Sequence, residues 1–256
     1  PYLTALDEVK ATRPTLTWSL VKLIPFKGRI EAEGVTDPAT HYGPLVFPFG
    51  SCTMQMASQF YGWTPGVVFD PATFRFDAWR AGWGAESLIN GDAVITTFGE
   101  VRATDTVFIR PVEDNKAFTG GIIDPPYLAD WQRRTEELER SAGPVSTLTM
   151  RTPVIVAAPK VLLSEWRCFV VGGRVITASQ YGRMGLKIVD AAVPKTVMAY
   201  DQAVVDRWQP ARCFVLDIGE TANEMGIIEV NTLNTSGLYA CDAVAIIAAI
   251  EDLYQP

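Results

Sequence analysis

The stretch FVLDIGETANEMGIIEVNTLNTSG, Phe214–Gly237, decides how this chain folds. Two apolar runs are joined by a short loop, Gly219–Gly226, which predicts an antiparallel pair of strands. In an extended strand residues i and i+2 share a face, so Glu229 and Asn231 project together while Val230 turns away. Asp217 ends the first run, and the loop returns the chain so that its carboxylate lies near that pair. Two carboxylates and an amide oxygen suit a hard cation, and Mg²⁺ commonly takes one or two carboxylates while substrate phosphates complete its shell. In isolation the same residues read equally well as a turn cap beside an exposed strand face.

Two upstream segments favour the cation reading. FIRPVEDNKAFTGG, residues 108–121, puts Arg110 at the end of an apolar strand, Lys116 six residues on, and Gly120 and Gly121 in a flexible loop. Backbone N–H groups of such a loop approach phosphate oxygens closely, while Arg offers a fork and Lys a point charge. In SEWRCFV, residues 164–170, Glu165 and Arg167 share a strand face, and an Arg beside metal-binding carboxylates would neutralise charge on a transferring phosphoryl group. A surface hairpin and a cross-strand ion pair are the plainer readings of these two segments. Together with the carboxylate–carboxylate–amide trio they describe a site for a Mg²⁺-nucleotide.

Composition narrows the chemistry further. The chain has 256 residues, 22 Lys and Arg against 29 Asp and Glu, and a net charge of −7, which argues against broad electrostatic capture of nucleic acid. A chain of this length buries roughly 70–75% of its unfolded surface and needs no staple to hold a core. The four cysteines, Cys52, Cys168, Cys213 and Cys241, form no CxxC pair, and three sit in apolar runs, as buried thiols of a reducing compartment would. The longest apolar run, Ala243–Ile250, is far shorter than the ~20 residues that cross a bilayer, and no signal segment opens the chain. The expected location is the cytoplasm. His41 is the single histidine, so a Ser-His-Asp relay or multi-histidine zinc site has little to be built from, and a turn role suits it better.

The coarse pattern is α+β with a largely antiparallel second half. Strands are predicted in 16–26, 44–51 and GVVFD (66–70), a short helix ends at Gly62, and an amphipathic helix spans Pro125–Gly143. Four strand candidates follow in 153–163, 164–181, 211–220 and 225–233, with Gly172-Gly173 as a hairpin turn and a largely buried helix at the C-terminus. Phe74, Phe76, Trp79 and Trp83 form an aromatic cluster that fits a core or a pocket.

These residues resemble the ATP-grasp superfamily: VFIRPVEDNKAFTGG its basic strand and glycine-rich phosphate loop, PVIVAAPKVLLSEWRCFVVGG its linker strand and the strand after it, and FVLDIG…GIIEVNTLNTSG its Asp…Glu-x-Asn metal motif. The similarity covers residues 92–254. More narrowly, FIRP…DNK…G and SEWR, with FPFGS upstream, resemble a clade of small ATP-grasp proteins, common in phages and biosynthetic gene clusters, named for an Arg-to-Lys exchange at a phosphate-contacting position.

The resemblance implies two α+β subdomains clasping ATP (92–256), preceded by a short N-terminal α/β domain (1–91) that helps bind the acceptor. It implies Mg²⁺ on Asp217, Glu229 and Asn231, and ATP phosphates on Arg110, Lys116, Gly120 and Gly121. Val156 and Lys160 would line the adenine site, Glu165 would meet the ribose or orient Arg167, and Arg167 would stabilise the phosphoryl group. Arg167, Arg110 and Lys116 are thus the candidate catalytic cations, and the Ser236-Gly237 loop would hold a substrate carboxylate. Arg80 and Arg102 are weak candidates for a further phosphate cation, and FPFGS (Phe47–Ser51), His41, Trp79 and Trp83 for the acceptor side. The implied function is an ADP-forming carboxylate-amine ligase working through an acyl phosphate on small-molecule or peptide substrates, a modified base among the acceptors. The alternatives are an ATP-grasp phosphotransferase and a non-catalytic nucleotide-binding protein; neither substrate nor oligomeric state is legible.

Overall fold

The computed structural model describes residues 2–255 except 25–26, 44, 52, 114–116 and 143–146. The chain begins with helix α1 (Tyr2–Thr12), a hairpin of β1 (Lys22–Ile24) and β2 (Arg29–Glu31), and α2 (Pro38–Tyr42). Next come β3 (Leu45–Val46), α3 (Met54–Tyr61) and β4 (Thr64–Pro65), with β3 and β4 parallel. Of the strand predicted over 16–26 only Lys22–Ile24 forms among the described residues, and of that over 44–51 only Leu45–Val46. GVVFD is not a strand: Val68 donates its N–H to the Asn234 side chain rather than to a neighbouring strand. The helix ending at Gly62 is α3, whose left-handed cap (φ 67°) glycine accepts without strain.

Helix α4 (Phe76–Trp83) leads into a four-stranded sheet of β5 (Val94–Thr97), β6 (Val107–Pro111), β7 (Gly121–Ile123) and β8 (Pro153–Ala157), in the order β5-β8-β6-β7. Helix α5 (Pro125–Ala142) lies between β7 and β8 in sequence; the Asp124 carboxylate accepts the Tyr127 N–H, and Arg134–Asp130 and Arg140–Glu136 pairs run along its exposed side.

The second sheet holds β9 (Ser164–Val171), β10 (Arg174–Arg183), β11 (Leu186–Asp190), β12 (Cys213–Glu220) and β13 (Met225–Asn231), antiparallel throughout in the order β11-β10-β9-β12-β13. Gly172 and Gly173 (φ 57° and 77°) make the β9–β10 turn, which needs positive φ at both central positions. Helix α6 (Lys195–Arg207) separates β11 from β12, and α7 (Ala243–Tyr254) closes the chain, with Asp242 capping it through the Ala245 N–H.

Alternation divides this sheet into two faces. Trp166, Cys168, Val170, Phe214, Leu216 and Ile218 pack with Trp79 and Trp83 of α4 and Val197, Val204 and Val205 of α6. On the opposite face Phe169, Val171, Cys213 and Val215 pack with Ala5 and Val9 of α1 and Ile246, Ile247 and Ile250 of α7. The remaining positions of that second face, Glu165, Arg167, Asp217, Glu229 and Asn231, are polar. Asp217 does not end its strand, as the sequence pattern suggested: β12 runs on to Glu220, and only residues 221–224 turn the chain. Among the described residues no helix is long and apolar enough to cross a membrane.

Candidate nucleotide and metal site

Strand register assembles the site. Ser179 pairs with Arg167, Arg167 with Asp217, and Asp217 with Glu229, so one row crosses four strands on the same face. Asp217 is 1% exposed and its two oxygens accept from Arg167 Nε at 2.8 Å and Nη2 at 2.6 Å, a bidentate pair. Burial pushes the Asp217 carboxyl up to about 6, against the Arg167 pairing that pulls it down. The Asn231 amide donates to Glu229 at 2.8 Å and to Asp217 at 3.3 Å, tying the two carboxylates together.

From the other sheet, Arg110 Nη1 reaches Glu229 at 3.3 Å. Its guanidinium lies 4.7 Å from the Trp79 ring centroid, a stacked cation–π arrangement. Beside this contact is a cavity of about 190 Å³, lined by Arg110, Phe118, Thr119 and Gly120 on one side and Glu229 and Val230 on the other. Gly120 approaches so closely that a Cβ there would lie 2.8 Å from the Arg110 Cβ. Thus the glycine loop, one basic strand residue and one carboxylate meet across the gap between the sheets.

The Arg167 end is aromatic. Tyr181 and Tyr239 stack at 5.1 Å with 12° between their planes, and the guanidinium lies 5.6 and 5.0 Å from their centroids. Arg167 Nη1 also donates to the Gly237 carbonyl at 3.4 Å, and Ser236 Oγ bonds back to the Thr232 carbonyl at 2.8 Å. Tyr2 of α1 reaches the same loop through its hydroxyl and the Ser236 carbonyl, 3.5 Å apart. Burial pushes the Tyr2 phenol up to about 12. Tyr2, Tyr181 and Tyr239 come from three distant parts of the chain, so no spacing rule could have found them.

The remaining sequence candidates are dispersed. Glu165 sits one step along the Arg167 face between Gly182 and Gly219, and a Cβ on Gly182 would come within 2.5 Å of its carboxylate. Lys160 pairs with Asp92. Val156 turns toward the core that Ile109, Val154 and Leu128 of α5 build, while its neighbours Ile155 and Ala157 join the α4 side; the period of two places Val156 away from the Arg110–Glu229 cavity. Gly121 begins β7, and Lys116 lies outside the described residues. Arg80 and Arg102 spend a donor on the backbone carbonyls of Ala93 and of Gly99 and Val101. Trp79 and Trp83 are buried, with indole N–H groups on the Thr73 and Val204 carbonyls. They are core rather than acceptor contacts, Trp79 serving as the surface under Arg110. His41 lies in the last turn of α2 and is exposed.

A family model for the ATP-grasp domain, family 3 of the clade named for its Arg-to-Lys exchange, matches residues 61–250. The chain belongs to this ATP-grasp family. Among solved structures, the D-alanine-D-alanine ligase from Coxiella burnetii aligns over 96% of this chain and 76% of its own, at 11% identity and a TM-score of 0.55. The ATP-grasp ligase PsnB complexed with minimal precursor aligns over 99% and 95%, at 13% identity and a TM-score of 0.52. A RimK domain ATP-grasp protein from Sphaerobacter thermophilus aligns over 71% and 68%, at 13% identity and a TM-score of 0.51. At these identities the likeness is one of fold, and it agrees with the two-sheet ATP-grasp architecture. No curated protein matches the chain.

The donor set fits Mg²⁺. Two carboxylates converge with a side-chain amide, and a half-turn of the Asn231 amide would exchange its donor for its oxygen. Such a set matches an ion that asks for only one or two carboxylates beside phosphate oxygens.

Proposed function

We propose that this protein is an ATP- and Mg²⁺-dependent carboxylate-amine ligase that forms an amide bond through an acyl phosphate and releases ADP. The observation that carries the reading is the cross-strand row in which Arg167 holds Asp217, Asp217 faces Glu229, and Arg110 of the opposite sheet meets Glu229. Family membership supports ATP as the nucleotide.

In this reading Asp217, Glu229 and Asn231 hold the metal, and Arg110, Lys116, Gly120 and Gly121 take the phosphates, with Glu165 and Lys160 toward the nucleoside. Bound there, Mg²⁺ would supply positive charge to the phosphate oxygens during transfer. Arg110 is released from Glu229 as the carboxylate turns to the cation, and its fork passes to a phosphate. Arg167 keeps Asp217 ionised and oriented, and its remaining face, beside the Gly237 carbonyl and the tyrosine pair, is open to the acyl phosphate. The loop at Ser236 and Gly237 would receive the substrate carboxylate, and residues 1–91 would form the acceptor side. No side chain is needed as a shuttling imidazole, because positioning and charge neutralisation carry phosphoryl transfer.

Calorimetric titration of ATP with and without Mg²⁺, on the wild type and on an Asp217→Ala/Glu229→Ala variant, tests the site. Metal-dependent binding lost in the variant is the expected outcome, followed by ADP release and an amide product when carboxylate and amine mixtures are supplied. ADP without an amide would make the protein a phosphotransferase, and ATP binding without turnover a nucleotide-binding protein.

A further inference from the structure

Three residues beyond Asn231, the side chain of Asn234 is 2% exposed and commits both its donors and its acceptor oxygen to a remote part of the chain. Its Nδ2 donates to the Pro48 carbonyl at 2.8 Å and to the Gly66 carbonyl at 3.2 Å. Its Oδ1 accepts the Val68 N–H at 2.9 Å, and its main-chain carbonyl accepts the Gly50 N–H at 2.9 Å. Four main-chain points of the 48–68 segment therefore converge on one residue, across at least 166 positions of sequence. Pro48 and Gly66 are themselves buried, so water is a poor substitute for these partners.

The same loop carries the chemistry at both ends. At one end Asn231 bridges Glu229 and Asp217; at the other Gly237 accepts from Arg167. Between them a single turn of 3-10 helix, Leu233–Thr235, has few bonds of its own. We propose that Asn234 is a positioning residue: it fixes the 232–237 loop from the 48–68 segment, and so sets where Asn231 meets the metal and where Gly237 meets Arg167. The proposal rests on the metal reading above. Only a primary amide of this length offers two donors and one acceptor here. Asp lacks the donors, Ala leaves the Pro48 and Gly66 carbonyls and the Val68 N–H without these partners, and Gln is one methylene too long.

The test uses the full chain with a non-hydrolysable ATP analogue titrated at a series of Mg²⁺ concentrations, together with amide hydrogen exchange. In Asn234→Ala the Mg²⁺ concentration for half-maximal analogue binding should rise about tenfold, the usual size for loss of an outer partner of a metal ligand. Analogue affinity without Mg²⁺ should stay within about twofold. Exchange should quicken both in 48–68 and in 232–237. Asn234→Ser, which keeps one donor and one acceptor, should fall between wild type and Ala, and carries the test where the alanine variant does not fold. Equal losses with and without Mg²⁺, or unchanged exchange across 232–237, would overturn the proposal. A wild type whose analogue binding ignores Mg²⁺, with Asp217→Ala/Glu229→Ala no different, would instead refute the metal reading, and the exchange result would still decide the positioning role.

Discussion

The five-stranded sheet and the segment before α4 are built on different principles. In the sheet, strands of five to ten residues alternate cleanly, and main-chain register alone places Arg167, Asp217 and Glu229 opposite one another. In the first 68 residues the strands are two or three residues long, and side chains take over the work of register. Asn234 and Ser58, whose Oγ accepts the Val67 N–H at 3.0 Å, hold main-chain groups that a longer sheet would have paired. Where the backbone makes the alignment, a single polar side chain is free for chemistry; where it does not, buried polar side chains are consumed in holding the chain.

Four further measurements would break or sharpen this contrast. The largest effect is expected at Asp217, where removal leaves the Arg167 guanidinium mostly buried without its counter-charge. Asp217→Ala should lose about 3–5 kcal/mol in urea unfolding, and an added Arg167→Met should recover much of it. A mild single effect, or no recovery in the double variant, would mean the row is not a coupled unit. Next in size, Glu229→Ala should cut Mg-ATP-dependent ADP release by roughly 10²–10³-fold with the unfolding midpoint little changed; undiminished turnover would remove Glu229 from the site.

The third concerns the core face of the same sheet. Asp201 of α6 is fully buried, accepts the Cys168 thiol at 2.6 Å, and is pushed by burial up to about 7. Its native value lies above the unfolded carboxylate range, so the native state binds the extra proton and ionisation costs stability progressively between about pH 4 and 7. Asp201→Asn should therefore melt near the wild-type temperature at pH 4 and above it at pH 8. A difference independent of pH would contradict this. The smallest effect belongs to the four-stranded sheet: Gly120→Ala crowds Arg110, and analogue binding should weaken by about 1 kcal/mol, roughly fivefold. Unaltered affinity there would show that the loop moves aside without disturbing the arginine.

Much of the site is legible without coordinates. The period of two puts Glu229 beside Asn231 and Glu165 beside Arg167, and the loop after Asp217 brings the strands together. Register then settles which of these meet: Arg167 pairs with Asp217, whereas Glu165 faces two glycines. Val156 falls on the far face from the Arg110–Glu229 cavity, because an apolar run buried on both sides has no alternation from which to choose. Trp79 and Trp83 could not be assigned to core or pocket, since aromatic density is common to both.

By itself the sequence determined the elements and the pairing of near neighbours, because alternation, glycine turns and helix caps act over a few residues. Only the tertiary structure decided that Arg110 would meet Glu229 across 119 positions, that Tyr2, Tyr181 and Tyr239 would gather around Arg167, and that Asn234 would anchor the first part of the chain. Those contacts join residues far apart in sequence, and their partners are chosen by how two sheets and a short-stranded segment pack, which no local pattern records.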